Sequence, residues 1–366
     1  MPKIPVILVG GFLGAGKTTL IQAATEKLAA QGKRVGVVTN DQAENLVDTA
    51  TLARPGLPIQ EVSGGCFCCH FDDLVWAMDR LVEADMPDVL IGEPVGSCTD
   101  LSATVLQPMK QLLADRYETT PFSVLVDATH FKDALGKDDQ HRFPENVIYI
   151  YRKQLEEADV IVLNKDDVLL SCELAQLEDS LRREFSQAMV MTISALKGTG
   201  VDVWLHHVLS ASGAGRTITD VDYDVYAEGE AALGWLNAAV QLQGKQDTDW
   251  KGLCQNFMQA MQREFREAAA EIAHLKLHLT AGGSTVTANL TGNREEPSIR
   301  GAINGSLGEA RLLLNVRANI DPARLRSITE QCLQRVTGEA IRLVWDEIRS
   351  FAPARPEPTH RFEKVV

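Results

Sequence analysis

The sequence predicts an α/β fold with a mostly parallel sheet over residues 1–210, followed by a smaller C-terminal α+β domain. In the first part, short and near-continuously apolar runs alternate with segments of helical period. This alternation is typical of a parallel sheet with helices on both faces. The chain changes character after Ser210, where a stretch containing glycine and serine precedes the acidic segment Asp220 to Glu230. A length of 366 residues is enough for two cores.

The predicted strands and helices of residues 1–210 follow directly from this alternation. The predicted strands are Ile4 to Val9, Arg34 to Thr39, Ile59 to Val62, Val89 to Ile91, Phe122 to Val126, Val160 to Leu163 and Val190 to Ile193. The predicted helices between them include Thr18 to Ala30, Leu74 to Ala84, Leu101 to Ala114 and Glu173 to Phe185.

Residues 211–230 are predicted to form a linker, and residues 231–366 a C-terminal α+β domain with an extended tail. We expect a strand over Trp235 to Leu242, a long helix over Trp250 to Ala270 and then two or three antiparallel strands. Asp321-Pro322 predicts the cap and first turn of a last helix. Three prolines between residues 353 and 358 indicate an extended tail on the surface.

Composition and charge exclude several classes of function. The formal net charge of −14 would repel a phosphate backbone, and the chain shows no basic patch, so we expect no nucleic-acid partner. A membrane span needs about 20 apolar residues in succession, and no run reaches that length. Of the seven cysteines, three crowd at positions 66, 68 and 69, which does not resemble a disulfide framework. A reducing, cytoplasmic setting fits best.

A phosphate-binding loop follows the first predicted strand. The segment Gly11-Phe-Leu-Gly-Ala-Gly-Lys-Thr18 satisfies G-x-x-x-x-G-K-[ST] between a strand and a helix, which predicts a P-loop NTPase. In such a loop the backbone N–H groups and the helix N-terminus surround phosphate oxygens, and Lys17 reaches the β- and γ-phosphates. The residues expected to contact the nucleotide here are Gly11, Gly14, Ala15, Gly16, Lys17, Thr18 and Thr19.

Two further segments favour guanine as the base. Asn164-Lys165-Asp166-Asp167 ends a buried strand with N-K-x-D spacing, and the Asp167 carboxylate can accept hydrogen bonds from guanine N1 and N2. Adenine would leave that carboxylate unpaired, which costs a few kcal/mol. After the next strand, the backbone N–H groups of Ser194-Ala195 are candidates to contact guanine O6, although an ordinary turn is the open alternative.

The strand Val89 to Ile91 leads into a candidate second switch, Glu93-Pro-Val-Gly96. Glu93 can hold Mg²⁺ together with the Thr18 hydroxyl, and the Gly96 N–H can approach the γ-phosphate. We therefore assign catalytic roles to Lys17, Glu93 and Gly96, which would act by positioning and charge neutralisation without a covalent intermediate. A surface acidic turn is the competing interpretation of the Glu93 segment.

A cysteine cluster lies between the phosphate loop and Glu93. Cys66, Cys68 and Cys69 fall within four residues, and such soft ligands suit Zn²⁺, Cu⁺ or Co²⁺. A closed zinc site needs four protein ligands, so three sulfurs imply an additional ligand or a metal that is passed on. Buried apolar cysteines or a redox pair are the alternatives. Cys98 can approach the nucleotide or this cluster, but a packing role is the favoured interpretation.

With these motifs in order, the sequence resembles the CobW-like metallochaperone GTPases, which are related to the urease and hydrogenase nickel-insertion GTPases. The resemblance covers about residues 1–208. It implies GTP binding, slow GTP hydrolysis, and a metal held by Cys66, Cys68 and Cys69 that is released to a client protein. The family's usual first-switch segment is altered here to Asn40-Asp-Gln-Ala-Glu44, which leaves Asp41 and Glu44 as candidate ligands of Mg²⁺ or of the second metal.

The leading hypothesis is therefore a GTP-hydrolysing metal chaperone that uses Mg²⁺ and carries Zn²⁺, or alternatively Co²⁺, to a client metalloprotein. The alternative is a GTPase that gates assembly or reactivation of a cobalamin-dependent enzyme. An ATP-dependent small-molecule kinase is a third hypothesis, which the segment Asn164 to Asp167 disfavours. The sequence names no client, and a homodimer stays open.

Overall fold

The computed structural model describes residues 3–42, 47–54, 56–131, 142–211, 213–305 and 307–366. These residues form two compact units. The first unit comprises residues 3–42, 52–229 and 355–366, and the second comprises residues 47–51 and 230–354. Within the described ranges, no helix is both long and apolar enough to cross a membrane.

A parallel sheet forms the centre of the first unit. Its strands are β1 (Ile4–Gly11), β2 (Val35–Asn40), β3 (Ile59–Val62), β4 (Val89–Glu93), β5 (Tyr117–Thr119), β6 (Ser123–Asp127), β7 (Val160–Asn164) and β8 (Met189–Thr192). Along the sheet the order is β3-β2-β4-β1-β6-β7-β8, with β5 paired to β1, and every pairing is parallel. All seven predicted strands are confirmed within two residues at each end.

Among the described residues the α-helices include α1 (Lys17–Ala30), α2 (Val47–Leu52), α3 (Phe71–Asp85), α4 (Gln107–Leu112), α5 (Glu145–Glu156), α6 (Ser171–Glu184), α7 (Val201–Ser210), α8 (Tyr223–Ala231), α9 (Trp250–Glu267) and α10 (Pro322–Thr337). Helices α1 and α7 pack on one face of the parallel sheet, where Leu20, Ile21 and Trp204 join the apolar side chains of the strands in one buried cluster. The predicted α/β class with a parallel sheet is confirmed.

One predicted helix has a different form. The segment Leu101 to Ala114 was expected to be a single α-helix, but Ser102–Leu106 forms a π-helix and only Gln107–Leu112 continues as α4. The buried carboxyl of Glu157 lies at the start of this π-helix and accepts a hydrogen bond from the Ser102 N–H at 2.8 Å. π-helical turns are rare and concentrate near functional sites.

The second unit is an antiparallel sheet covered by two helices. Its strands are β9 (Gly234–Gln243), β10 (Ile272–Ala281), β11 (Ser284–Leu290), β12 (Ser298–Gly301), β13 (Glu309–Ala318) and β14 (Arg342–Phe351), in the order β12-β11-β10-β13-β9-β14. Helices α9 and α10 bury Phe257, Phe265 and Leu333 in a common core with the strands. The predicted C-terminal α+β architecture is thus confirmed. The described part of α2 also belongs here, since the Val47 N–H donates to Asn315 Oδ1 at 2.9 Å.

Two segments differ from the expected division of the chain. The acidic stretch expected within the linker contains helix α8, because Tyr226 is fully buried and its hydroxyl accepts a hydrogen bond from the Thr99 N–H at 3.3 Å. The tail, residues 355–366, belongs to the first unit. It contacts the cysteine cluster and the π-helix, where the Phe362 N–H donates to the Ala103 carbonyl at 3.0 Å.

Candidate nucleotide and metal site

The predicted site residues gather at one edge of the parallel sheet, beyond the carboxyl ends of its strands. The phosphate loop follows β1, Asp41 follows β2, and the cysteine loop follows β3. Glu93 and Asn164 are the last residues of β4 and β7. Because parallel strands all end at the same edge, segments distant in sequence converge there, which is where open α/β sheets bind ligands.

The phosphate loop has the backbone that its glycines predict. Gly11, Gly14 and Gly16 all have positive φ angles, of 128°, 82° and 97°. A Cβ on Gly11 would lie 2.5 Å from the Leu125 carbonyl oxygen, and one on Gly16 would lie 2.4 Å from Asn164 Nδ2. These positions therefore require glycine for both conformation and space. Helix α1 begins directly after Gly16, and Thr19 is half-buried in its first turn.

The Lys17 side chain is held within the loop by backbone carbonyl groups. Its ammonium donates to the Gly11 carbonyl oxygen at 2.8 Å and to the Phe12 carbonyl oxygen at 3.4 Å. The side chain is 8% exposed. The loop thus keeps a cation poised at the place where phosphate oxygens would replace these carbonyl acceptors.

Thr18 and Glu93 lie together, as their predicted roles require. The Thr18 hydroxyl donates to Glu93 Oε1 at 2.9 Å, and both side chains are buried. A hydroxyl and a carboxylate are hard oxygen ligands of the kind that Mg²⁺ prefers, so the residues fit this ion. Gly96 lies close to the same point, because a Cβ added to it would be 3.1 Å from Lys17 Nζ.

Asp41 lies at the same edge of the sheet, where it forms hydrogen bonds with nearby backbone groups. Its carboxylate accepts a hydrogen bond from the Gln42 N–H at 2.6 Å, and its own N–H donates to the Val62 carbonyl at 3.2 Å. Register pairs Thr39 of β2 with Glu93 of β4, so Asp41 follows next to the Glu93 strand. Glu44 lies outside the described residues.

Asn164 connects two loops of the candidate nucleotide site. Its Nδ2 donates to the Ala15 carbonyl at 2.8 Å, and its Oδ1 accepts from the Ala195 N–H at 2.9 Å. The phosphate loop and the Ser194-Ala195 turn are therefore fixed to each other through one buried amide. This geometry gives the first residue of N-K-x-D a positioning role.

Asp167 faces the same turn. Ser194 Oγ donates to Asp167 Oδ1 at 2.7 Å, and Lys197 Nζ lies 3.4 Å from Oδ2. Although burial opposes it, the Ser194 hydrogen bond and the Lys197 charge hold the pKa of Asp167 below its ordinary value. The carboxylate is therefore ionised at neutral pH, which suits a group that accepts hydrogen bonds from guanine.

Sequence reasoning missed Asp127, the last residue of β6. Lys165, in a left-handed conformation with φ 68°, directs its ammonium onto Asp127 Oδ2 at 2.5 Å. Burial raises the pKa of Asp127, but the charges of Lys165 and His130 and the hydrogen bonds from Lys165 and Thr129 together lower it below its ordinary value. The available signal was its position, since Asp127 directly follows the predicted strand Phe122 to Val126.

The three predicted metal ligands lie together. The sulfurs of Cys66, Cys68 and Cys69 are all within 4.8 Å of one another, with distances of 2.7 Å for 66–68, 3.3 Å for 66–69 and 3.8 Å for 68–69. Cys66 and Cys68 are buried and Cys69 is half-buried. Three sulfurs at this spacing can bind one soft cation, which would draw them to roughly equal separations.

Asn40, at the end of β2, fixes the cysteine loop and was not singled out from the sequence. Its Nδ2 donates to the Val62 carbonyl at 3.0 Å and to the Gly65 carbonyl at 2.7 Å. Its Oδ1 accepts from the Phe67 N–H at 2.9 Å. One buried amide thus binds both sides of Cys66 and connects the cysteine loop to the start of the predicted first switch.

The tail covers the exposed side of the cluster. The Glu357 N–H donates to Cys69 Sγ at 3.2 Å, and Thr359 donates to the Cys68 carbonyl from its N–H and to the Cys69 carbonyl from its hydroxyl, both at 2.9 Å. The next residue, His360, packs edge-on against Phe71 with ring centroids 5.2 Å apart.

Two thiols of the cluster, Cys68 and Cys69, have raised pKa values. Hydrogen bonds among the sulfurs, first of all with Cys66, raise the pKa of Cys68 well above its ordinary value and that of Cys69 to about 11. A soft cation must therefore displace protons when it binds, as thiolate ligation generally requires.

The chain is similar in sequence to several known proteins. The chain is 32% identical over 208 residues to a zinc chaperone CobW from Sinorhizobium sp., and 29% identical over 202 residues to the zinc chaperone YjiA of Escherichia coli strain K12. These matches cover 52% and 53% of this chain, which spans 58% of the length of each relative. The crystal structure of Zn(II)-bound YjiA GTPase from E. coli matches 91% of this chain and 99% of that one, at 16% identity and a TM-score of 0.38.

The family match covers the region that carries the phosphate loop, the cysteine cluster and the guanine-type motif. A family model described as the CobW/HypB/UreG nucleotide-binding domain matches residues 5–192, which is more than half of the chain. The resemblance that the motifs predicted is thereby confirmed, and the chain belongs to the CobW/HypB/UreG nucleotide-binding domain family.

Proposed function

We propose that this protein hydrolyses GTP and uses the hydrolytic cycle to bind a transition metal at Cys66, Cys68 and Cys69 and to transfer it to a client metalloprotein. Zn²⁺ is the favoured metal and Co²⁺ the alternative. The observation that carries the proposal is the convergence of three cysteine sulfurs within 4.8 Å, in the same compact unit as the phosphate loop.

The chemistry of the nucleotide step follows from the phosphate loop. Lys17 would exchange its carbonyl acceptors for β- and γ-phosphate oxygens, and the backbone N–H groups at the start of α1 would neutralise the charge that develops on the γ-phosphoryl group. Thr18 and Glu93 would hold Mg²⁺, which supplies charge neutralisation at the phosphates. Gly96, adjacent to Lys17, would contact the γ-phosphate through its N–H.

Two neighbouring groups support guanine as the base. The ionised Asp167 carboxylate accepts hydrogen bonds, and Asn164 fixes the Ala195 N–H on the adjacent turn. Guanine presents N–H groups to the Asp167 carboxylate and a carbonyl oxygen to the Ala195 N–H. Adenine presents the reverse pattern at that edge and leaves the carboxylate unpaired.

The choice of zinc rests on ligand chemistry and on relatives. Three thiolates form a soft donor set, which suits Zn²⁺, Cu⁺ and Co²⁺. Two relatives carry the name zinc chaperone, one from Sinorhizobium sp. and one from E. coli. Reduced thiols at this density also suit the cytoplasm, where thiols are kept reduced. The client is a metalloprotein with an incomplete site, and a homodimer is a further state to test.

Zinc binding by the full chain tests the proposal directly. Competition against a chromophoric chelator measures the Zn²⁺ affinity without nucleotide, with Mg-GDP and with a non-hydrolysable GTP analogue. We expect sub-micromolar affinity that Cys66→Ala lowers by at least about 100-fold, because one of three thiolates is lost. Cys172→Ala is the matched control, since this exposed cysteine lies outside the cluster.

The same zinc-binding measurements can also contradict the proposed chaperone function. Affinity weaker than micromolar in every nucleotide state, together with no effect of Cys66→Ala, would remove the chaperone function. A stable complex with a corrinoid protein that survives replacement of all three thiols by serine would then favour the cobalamin alternative. A preference for ATP over GTP in a binding titration would favour the kinase.

A further inference from the structure

A fourth cysteine reaches the cluster from another segment of the chain. Cys98 is 1% exposed, and its Sγ lies 3.7 Å from Cys68 Sγ. Its place in the chain is two residues after Gly96, on the loop that follows β4. No role in the nucleotide step involves this side chain.

The separation between these two sulfurs matches what a metal site needs. With Zn–S bonds of about 2.3 Å, a tetrahedral four-sulfur site has S···S edges of about 3.8 Å. The Cys68–Cys98 distance of 3.7 Å and the Cys68–Cys69 distance of 3.8 Å already equal such edges. Cys66 and Cys68, 2.7 Å apart, would need to separate by about 1 Å around a bound ion.

Three sulfurs alone leave the coordination of a zinc ion incomplete, because closed zinc sites have four ligands. Within the ranges that the structure describes, no further ligand atom, the Cys98 sulfur included, lies within 4.8 Å of all three sulfurs. The Cys98 sulfur contacts Cys68 at 3.7 Å, so it would approach the remaining sulfurs when an ion binds. We propose that Cys98 is the fourth thiolate of the metal site, an inference that rests on the metal-chaperone function proposed above.

The loop that carries Cys98 is also the loop that meets the phosphate site. Glu93 contacts Thr18 at one end of it, and a Cβ on Gly96 would be 3.1 Å from Lys17 Nζ. Gln154 connects Gly96 and Cys98 at the other end of this loop, because its Nε2 donates to the Gly96 carbonyl at 3.0 Å and to the Cys98 carbonyl at 2.9 Å. A shift of Gly96 on loss of the γ-phosphate would therefore move Cys98 and withdraw one ligand from the metal.

Sulfur counting on the full chain tests this assignment. The chain is loaded with Zn²⁺ in the presence of Mg²⁺ and a non-hydrolysable GTP analogue, and X-ray absorption at the zinc edge gives the number of sulfur neighbours. Co²⁺ alone, substituted for Zn²⁺, gives the thiolate-to-metal charge-transfer band. We expect four sulfurs in the unsubstituted chain, and three with one lighter ligand in Cys98→Ser and Cys98→Ala. The Co²⁺ band should fall by about a quarter and the Zn²⁺ affinity by about 10- to 100-fold.

Two control variants separate ligation from packing. Cys332→Ala removes a buried sulfur in the second unit, and Cys172→Ser removes an exposed thiol, so both should leave the metal spectra unchanged. The sulfur count of the unsubstituted chain decides the question even if the Cys98 variants fold poorly. A three-sulfur site that the Cys98 variants leave unchanged would overturn this inference and leave the proposed function standing. Failure of the unsubstituted chain to bind either metal would overturn both.

Discussion

At the scale of single residues, Asp167 offers a test of base recognition that does not depend on the metal. In Asp167→Asn, Oδ1 can still accept from the Ser194 hydroxyl, but the second oxygen becomes a donor. That donor would face the guanine 2-amino group, which is also a donor. In xanthine it would face a carbonyl oxygen, which accepts. We expect GTP affinity to fall by about 100-fold and xanthosine triphosphate affinity to rise, because a buried donor facing a donor costs a few kcal/mol.

Fluorescence titration with labelled nucleotides measures this change. Asp166→Asn is the matched control, because the neighbouring carboxylate is not the one bonded to Ser194. Equal GTP binding by Asp167→Asn and the unsubstituted chain would show that this carboxylate does not contact the base.

The buried carboxyl of Glu157 should make the free energy of unfolding depend on pH. Burial raises the pKa of this fully buried carboxyl well above its ordinary value. The folded chain therefore binds a proton that the unfolded chain has released, so stability falls as pH rises from the ordinary glutamate pKa toward the raised value. Glu157→Gln cannot ionise. Relative to the unsubstituted metal-free chain, we expect this variant to gain on the order of 1 kcal/mol between pH 5 and pH 7.

Thermal unfolding at several pH values measures the difference, with Glu156→Gln as the control. Glu156 forms ion pairs with Arg152 and Lys153 outside the buried site, so its replacement should not reproduce the change expected for Glu157→Gln. Parallel curves for Glu157→Gln and the unsubstituted chain would contradict this account of the buried carboxyl.

At the scale of elements, Asn40 holds the cysteine loop in place. Asn40→Ala would leave the Phe67 N–H and the Gly65 carbonyl without their side-chain partner. We expect a loss of about 1 to 3 kcal/mol in stability and a Zn²⁺ affinity about 10-fold lower, because ligands that are not held in position bind metal more weakly. Chelator competition measures the affinity, with the exposed Asn256→Ala as control. Unchanged affinity would show that the loop positions its sulfurs without Asn40.

The tail controls access to Cys69. A chain that ends at Ala354 loses the hydrogen bond from the Glu357 N–H to Cys69 Sγ and both bonds from Thr359. We expect Cys69 to react about 10-fold faster with an aromatic disulfide reagent, because its sulfur becomes accessible. Mass spectrometry of labelled peptides measures the rate, and Cys172 provides an internal control.

A milder variant covers the risk that deletion disturbs the fold, since the tail also carries Arg361, whose guanidinium bonds the buried Asp100 at 2.7 Å. Thr359→Val removes only the hydroxyl bond to the Cys69 carbonyl and should accelerate labelling by a smaller factor. Equal labelling rates in all three chains would show that the tail does not protect the cluster.

At the scale of the whole molecule, the sequence was most informative where local pattern and packing agree. The strands β1, β2 and β7 are continuous apolar runs, and the motifs at their ends needed only the strand context to be placed. Asn40 and Asp127 were missed because their partners, Phe67 and Lys165, come from other segments. The tail was expected to be extended on the surface, and its contact with Cys69 joins residues 288 positions apart, which no local pattern encodes.

Contacts between distant segments also explain why the acidic stretch and the π-helix were not predicted from the sequence. Asp220 to Glu230 reads as a linker because of its charge, yet Tyr223 and Tyr226 give part of it an apolar face that packs with Val221 and Ile150. The segment Leu101 to Ala114 has ordinary helical period, and the buried Glu157 that accepts a hydrogen bond from its first turn comes from the end of a different helix. Burial of a polar side chain against a backbone segment distant in sequence depends on the tertiary structure, so the local sequence pattern does not predict it.

The proposed cycle requires the nucleotide state to change the affinity for the metal. The Zn²⁺ dissociation constant measured with a GTP analogue and with GDP, both with Mg²⁺, tests this requirement. We expect the two constants to differ by about 10-fold or more, and by linkage Zn²⁺ should change the ratio of the two nucleotide affinities by the same factor. Cys66→Ala should abolish the difference. Equal constants in the two states, in a chain that binds both zinc and nucleotide, would contradict the account.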